Sequence, residues 1–328
     1  MRNNQFTILV TGIGGNVAQG ILRNIRNDFP EFYLVGTGIE NLSGGNHLCD
    51  SVRTLPYAYH IEYIPLLLEI VKEYNVDLII PSTDFEVYYL SLNINKFPCK
   101  IAVSGVKSSE VYLDKYLTSL HHNKYDIPFV KTVLPSQYKR KDFNSIIAKP
   151  RKGRGSRGLI FDASQISSLH DNEYIVQEKI SGTEITTAFY VNLKKELHGQ
   201  ITLVRTLISG TTNTCYVEDR YDEKLKNILL KIIENSDIMG SANLQSIVNE
   251  KGEIFPFEIN CRISGTNSIR SQFGFNDVRY TIQELLTNQS IEKVKIKKGV
   301  ATRILMDVIY LNTIYSDNFV SSTPNYLY

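Results

Sequence analysis

The first hundred residues switch repeatedly between the two-residue period of a strand and the 3.6-residue period of a helix, and this switching restricts the fold more than any other feature. A β-branched run at 6–10 breaks into the turn Thr11-Gly12-Ile13-Gly14-Gly15-Asn16, and an amphipathic stretch then reaches about residue 27. That is the pattern of strand, glycine turn and helix. Further strand runs at 33–36, 77–80 and 100–103 enclose a helical stretch at 65–74. Strands that alternate with helices predict a parallel, doubly wound α/β domain, placed at 1–107.

The texture then changes. Residues 108–125 read as a helix, with Ser108 as its N-cap and Pro128 just beyond its end. Strand runs follow at 145–149, 158–161, 174–178, 184–192, 197–207, 243–249 and 254–260, joined by polar turns such as 192–195 and 250–252. Helices are expected at 222–235 and 277–286. The fold class is therefore α/β and α+β: a Rossmann-like parallel sheet domain followed by antiparallel sheets. There is no internal repeat or low-complexity linker, so the two halves are expected to pack closely.

Length and charge narrow the function. A chain of 328 residues has room for two or three domains at roughly 100–200 residues each. With 42% hydrophobic and 21% charged residues, its composition is that of a globular protein, and no apolar run approaches the roughly 18 residues of a membrane span. Lys plus Arg number 36 and Asp plus Glu 34, a net +2. No overall field recruits nucleic acid, and any phosphate-binding charge must be clustered locally. Cys49, Cys99, Cys215 and Cys261 are scattered without a CxxC spacing, which reads as reduced thiols. Together with an N-terminus lacking a signal-peptide apolar region, this predicts a cytoplasmic protein.

Three clusters carry chemistry. The glycine turn at 12–15 admits a dinucleotide reading, with Glu40 as the ribose acid, and Tyr190 and Lys194 have the spacing of a dehydrogenase pair. That pair runs from an alternating strand into a turn, where a spacing of four does not share a face. The alternative is a tight turn that packs helix on sheet. The second cluster is Ala148-Lys149-Pro150-Arg151-Lys152-Gly153-Arg154-Gly155-Ser156-Arg157-Gly158, with five cations in nine residues from Lys149 to Arg157. Its backbone amides and charge suit phosphate oxygens, though it lacks the P-loop pattern and a solvated surface turn remains the other reading. Third, Glu258 and Asn260 lie two apart on a strand and face the same way. Gln245 reaches that face from the neighbouring strand, and Arg262 follows. Three oxygen-bearing side chains suit Mg²⁺, which completes its shell with phosphates and water.

With these clusters, the sequence resembles the ATP-grasp enzymes, specifically the single-module ligases similar to carbamoyl-phosphate synthase. The resemblance rests on five motifs in the family's order: Leu113-Asp114-Lys115, the stretch from Lys149 to Gly158, Val176-Gln177-Glu178-Lys179-Ile180-Ser181-Gly182-Thr183-Glu184, Asn243-Leu244-Gln245, and Glu258-Ile259-Asn260-Cys261-Arg262. It implies a two-part ATP-grasp fold after the first domain, with a small ATP-lid subdomain at 108–190 and a metal-bearing subdomain at 191–328.

The resemblance also implies roles. Lys115 and Lys149 contact ATP phosphates while the hairpin carrying Gly153, Gly155 and Ser156 closes over them. Glu178 accepts the adenine amino group, the backbone of Lys179 and Ile180 reads the ring edge, and Glu184 holds the ribose. Gln245, Glu258 and Asn260 hold Mg²⁺ or Mn²⁺. Arg262 and Lys149, with Arg205 as an addition, are the catalytic residues. Gly14 and Gly15 face Ser264, Gly265 and Thr266 across the acceptor site. Two residues depart from the family's pattern: Cys261 replaces a proline, and Gln245 stands where a carboxylate is usual.

The implied activity is ATP-dependent carboxylate–amine ligation through an acyl phosphate, with an amino acid among its small-molecule substrates, no nucleic acid or membrane partner, and room for a homodimer. The competing readings are an ATP-grasp phosphotransferase, an ATP-binding regulatory protein and an NAD(P)-dependent dehydrogenase.

Overall fold

The structure is a computed structural model that describes residues 6–153, 157–315 and 317–328. Its first domain is a five-stranded parallel sheet of β1 (Thr7–Val10), β2 (Tyr33–Gly38), β3 (Ser51–Thr54), β4 (Leu78–Ile80) and β5 (Lys100–Ile101), in the order β3-β2-β1-β4-β5. Because side chains alternate along β1, Ile8 and Val10 pack beneath helix α1 (Asn16–Asp28). Leu9 points the other way, into the core of helix α2 (Tyr63–Tyr74) and helix α3 (Asp84–Leu92). Both faces of the sheet are covered, as a parallel sheet requires.

The glycine turn is a packing device as well as a wall of the site. Gly12 has φ +65°, and a Cβ there would collide with the Ser82 hydroxyl on the loop after β4. The Ile13 amide donates to the Thr37 carbonyl at 3.0 Å and the Gly15 amide to the Gly12 carbonyl at 2.9 Å. The turn thus ties the ends of β1, β2 and β4 together.

The helix expected over 108–125 is two helices, α4 (Val106–Leu113) and α5 (Lys115–Lys124). They break at Asp114, whose backbone is extended and whose carboxylate caps α5 by accepting from the Tyr116 amide at 2.9 Å. Ser108 is not the N-cap, which is Gly105; its amide instead donates to Asp237 Oδ1 at 2.7 Å.

A small antiparallel sheet, β6 (Thr132–Val133), β8 (Tyr174–Glu178) and β7 (Ile146–Pro150), follows in that spatial order. The strand expected at 158–161 is reduced to a single bridge between Ala148 and Ile160. The larger sheet is antiparallel: β13 (Ile254–Asn260), β12 (Gly240–Val248), β9 (Thr183–Val191), β10 (Leu197–Ile208), β11 (Thr211–Val217) and β14 (Val300–Thr302). β9 was expected with the lid segment ending at 190, but it lies inside this sheet, hydrogen-bonded to β12 on one side and β10 on the other. Residues Ile185–Val191 are all buried, which a strand of the small lid sheet could not achieve.

β11 was not expected at all. Its Thr-Thr-Asn-Thr start lacks apolar alternation, yet Ser209 and Gly210 both have positive φ, 49° and 72°, the geometry of a two-residue hairpin turn.

Helix α6 (Asp222–Glu234) covers one face of the large sheet through Leu225 and Leu229. Residues around α7 (Asn267–Arg270) and α8 (Asp277–Ile282) cover the other through Phe275 and Tyr280. The helix expected to reach 286 is α-helical only to Ile282 and continues as a π-helical turn over Gln283–Thr287. α1 then joins the halves. A Cβ on Gly20 would strike the Asn267 side chain, and Asn267 donates to the Val17 carbonyl at 3.0 Å. Ile263, Val278 and Ile282 share a core with α1. Among the described residues no helix is long and apolar enough to cross a membrane.

Substituting Gly12 by Ala places an L-residue in the left-handed region, costing about 1–2 kcal/mol, and drives its Cβ into Ser82. The urea midpoint of Gly12→Ala is expected to fall accordingly; an unchanged midpoint contradicts this account of the turn.

Candidate active site

In the β12–β13 pair, Gln245 stands opposite Glu258 and Asn243 opposite Asn260, with a bulge immediately after Gln245. The register brings the three expected metal ligands together. Gln245 Nε2 donates to Asn260 Oδ1 at 3.2 Å, and Asn260 Nδ2 donates to Glu258 Oε1 at 3.3 Å. Lys115, the first residue of α5, reaches the same carboxylate, with Nζ 3.6 Å from Glu258 Oε1 and 3.0 Å from the Gly153 carbonyl.

Lys149 arrives from β7. It is buried, with its ammonium 4.8 Å above the Phe257 ring. Burial pushes that ammonium down to about 8; Glu258 and Glu184 pull it up, and Lys115 pushes it further down.

Arg205, on β10, is held by the site's own side chains. Its Nη2 donates to Glu184 Oε1 at 2.7 Å and to Gln245 Oε1 at 2.6 Å, and Nε donates to Glu184 at 3.1 Å. In this arrangement it links the ribose residue expected on β9 to the metal residue expected on β12.

Arg262 donates through Nη2 to Asp84 Oδ2 at 2.7 Å, while Asn260 Nδ2 lies 3.3 Å from Asp84 Oδ1. Asp84 was missed by sequence reasoning. The signal was present in Thr83-Asp84-Phe85-Glu86, directly after β4. Thr83 and Glu86 form a reciprocal capping box, with the Thr83 amide 3.0 Å from Glu86 Oε2. That box fixes the first turn of α3 and sets Asp84 at the mouth of the site.

The motif Leu113-Asp114-Lys115 also acquires a physical role. Arg151 grips Asp114 through Nε at 3.1 Å and Nη2 at 2.7 Å, and the Lys115 amide donates to the Arg151 carbonyl at 3.0 Å. The base of the basic hairpin is thereby fastened to the start of α5. Gly153 lines the site; Gly155 and Ser156 lie outside the described residues.

These side chains open into one cleft of about 1130 Å³. Glu178, Lys179 and Ile180 line it at the exit of β8, and Glu184 lines it from β9. The Lys179 amide is already paired with the Ser145 carbonyl at 2.9 Å. Of the backbone groups expected to read a ring edge, that leaves the Lys179 carbonyl and the Ile180 amide and carbonyl. Gly14, Gly15, Ser264 and Gly265 line the same cleft. Thr266 does not: it is buried beneath the loop, where its hydroxyl accepts from Arg270 Nη1 at 2.8 Å. Arg270 is fully buried, pairs with Asp277 and also binds the Ser264 hydroxyl, so it holds this loop from below.

Residues 113–266 match the ATP-grasp domain family. That segment is similar to an ATP-grasp domain. The matched segment runs from the residue before the Asp114 cap to the loop held by Arg270, and contains Lys115, Lys149 and Glu258.

Solved structures extend the likeness over nearly the whole chain. N5-carboxyaminoimidazole synthetase from Staphylococcus aureus, complexed with ADP, is 13% identical and covers 93% of this chain and 84% of its own, with a TM-score of 0.75. Biotin carboxylase from Campylobacter jejuni, in a complex with beta-gamma-ATP, is 12% identical, covering 95% and 77% with a TM-score of 0.72. N5-carboxyaminoimidazole synthase from Aspergillus clavatus, with ADP and aminoimidazole ribonucleotide, is 14% identical, covering 90% and 81% with a TM-score of 0.71. At these identities the likeness is one of fold. A search of curated proteins finds no match.

Burial also settles the roles of Tyr190 and Cys261. Tyr190 is in the core, its hydroxyl 3.0 Å from Glu284 Oε2, and neither it nor Lys194 lines the cleft. The dehydrogenase pair therefore does not exist in space. Cys261 is also buried, and burial pushes its thiol well above the ordinary cysteine range, which leaves it a packing residue beside the site rather than a nucleophile.

Lys149 should be measurable directly. In ¹³C-methylated protein its resonance, assigned by loss in Lys149→Arg, is expected to titrate near 8, charged below and neutral above, while exposed lysines titrate near about 10.4. Glu258→Gln removes an attraction that favours the charged form and should lower the midpoint further. A midpoint above 10 contradicts the burial argument.

Proposed function

We propose that the protein is an ATP-dependent carboxylate–amine ligase. A substrate carboxylate oxygen attacks the γ-phosphorus of ATP as the bond to the β,γ-bridging oxygen breaks, releasing ADP. The lone pair of an amine then attacks the acyl carbon, the bond to the phosphate oxygen breaks, and the amine loses a proton as the amide forms. The observation that carries this reading is the meeting of Lys115, Lys149, Gln245, Glu258 and Asn260 at one cleft in a segment similar to an ATP-grasp domain.

The chemistry asks the chain mainly to position groups and to offset charge. Lys115 and Lys149 face the phosphates. Arg262, oriented by Asp84, offsets charge on the transferred group. Gly153, whose carbonyl receives Lys115, lines the cleft beside the phosphates. Glu178 and the Ile180 amide receive the adenine, and the free oxygen of Glu184 is left to the ribose, since Arg205 occupies the other. The ADP and ATP complexes of the similar structures support a nucleotide in this cleft.

Among the described residues no three His, Cys, Asp or Glu cluster as a metal site. The donors are one carboxylate, Glu258, and the carboxamides of Gln245 and Asn260. An all-oxygen set with a single charge fits Mg²⁺, or Mn²⁺, shared with nucleotide phosphates rather than a stand-alone protein cage. The ion would supply charge neutralisation between phosphate oxygens. An amino acid is the proposed class of carboxylate donor.

Glu258→Gln and Lys149→Ala are expected to lower carboxylate-stimulated ADP release at least about 100-fold, with circular dichroism and melting temperature retained. The assay is ADP release against pools of carboxylates and amines, with mass spectrometry of the product. Near-normal turnover in either variant overturns the assignment.

A further inference from the structure

The part of the cleft lined by the first domain carries an aromatic wall that the reaction described above leaves unused. Tyr57 and Tyr59, on the loop after β3, stack with ring centroids 5.4 Å apart and planes within 8°. Tyr59 meets Phe85 edge to face at 6.2 Å. All three line the cleft, yet Tyr57 is 47% and Tyr59 58% exposed. Aromatic rings left open inside a concavity, rather than folded into the adjacent core of Leu55 and Ala58, offer a flat apolar face to a ligand.

The wall's position identifies which ligand. Phe85 follows Asp84, the residue that holds Arg262 at 2.7 Å, so the wall adjoins the residue that orients the group assigned to the transferred phosphoryl. It also stands at the C-terminal edge of the parallel sheet, beside the β1/β4 junction where the strand order reverses, the place where doubly wound sheets bind ligands. Among the described lining residues contributed by the first domain there is no Lys, Arg or His; the charged ones are Glu40, Asp84 and Glu86. A strongly anionic body is therefore unsuited to this part, and a carboxylate must point toward Arg262.

Building on the ligase reading, we propose that this is the subsite for the carboxylate substrate, and that the substrate presents a ring face to Tyr57 and Tyr59 while its carboxylate points to Arg262. Two classes share that chemistry: a uronic-acid pyranose, whose C–H face stacks on aromatics, and an aromatic amino acid.

The test uses the full chain with Mg-ADP and saturation-transfer NMR, together with ADP release in the presence of ATP and ammonium. The panels are glucuronate and galacturonate, phenylalanine and tyrosine, and the open-chain controls glutamate and alanine. Ring protons of one ring-bearing panel are expected to show the strongest transfer, and the responding panel names the class. In Tyr57→Ala/Tyr59→Ala its dissociation constant should rise at least tenfold, with ADP affinity within twofold of wild type, and Tyr57→Phe/Tyr59→Phe should restore binding. Open-chain carboxylates binding as well as the ring compounds, no ring compound binding, or binding insensitive to the alanine pair overturns the subsite. Tyrosine-dependent ring binding without ADP release leaves the subsite standing and overturns the ligase reading. ADP release driven equally by open-chain carboxylates does the reverse.

Discussion

The rest of the site is arranged around an unequal charge balance at Glu258. One carboxylate faces two ammonium groups, Lys115 at 3.6 Å and the buried Lys149, whose affinity for its proton is lowered by the lack of water around it. Two cations in a poorly solvated space repel each other, and Glu258, with a weaker pull from Glu184, offsets only part of the cost of holding them there. The site is therefore matched to an anion that brings its own charge. On the proposed reading, that anion is a nucleotide polyphosphate accompanied by a divalent cation. The three groups come from β13, α5 and β7, so no local segment could assemble them.

What keeps these elements in place is a series of buried or half-buried ion pairs that hold the segments carrying the site residues. Asp114 caps α5 and grips Arg151, which fixes Lys115 on one side and the basic hairpin on the other. Asp84, set by a capping box on the first domain, orients Arg262 and touches Asn260. Arg270 and Asp277 hold the Ser264 loop from beneath. Breaking such pairs on one side leaves an uncompensated charge, so their contribution lies more in specifying one geometry than in net stability. The parallel domain takes part in the site through Asp84, and the glycine turn tightens that domain's strand ends.

Much of this was legible in the residues, and the parts that were not have physical causes. That β1, β2, β4 and β5 form a parallel sheet followed from alternating periods, and that Gln245 shares a face with Glu258 and Asn260 followed from the two-residue repeat of neighbouring strands. β9 was placed with the wrong sheet because local alternation states that a strand is half-buried without naming its neighbours. β11 escaped notice because its threonines carry no apolar signal, although Ser209-Gly210 marked the turn. Asp84 was hidden because its partners, Asn260 and Arg262, lie more than 170 residues away. Thr266 was placed on the acceptor wall by proximity to Gly265, but its side chain turns inward to Arg270.

The central claim is that Glu258 makes this cleft a site for a nucleotide together with a divalent cation. Titration calorimetry of ADP into the full chain, with and without Mg²⁺, tests it without knowledge of the substrate. The account predicts that Mg²⁺ tightens ADP binding by at least about tenfold, or about 1.4 kcal/mol, and that Glu258→Gln removes this increment while metal-free ADP still binds. Equal affinity with and without Mg²⁺, or an increment that survives in Glu258→Gln, contradicts it.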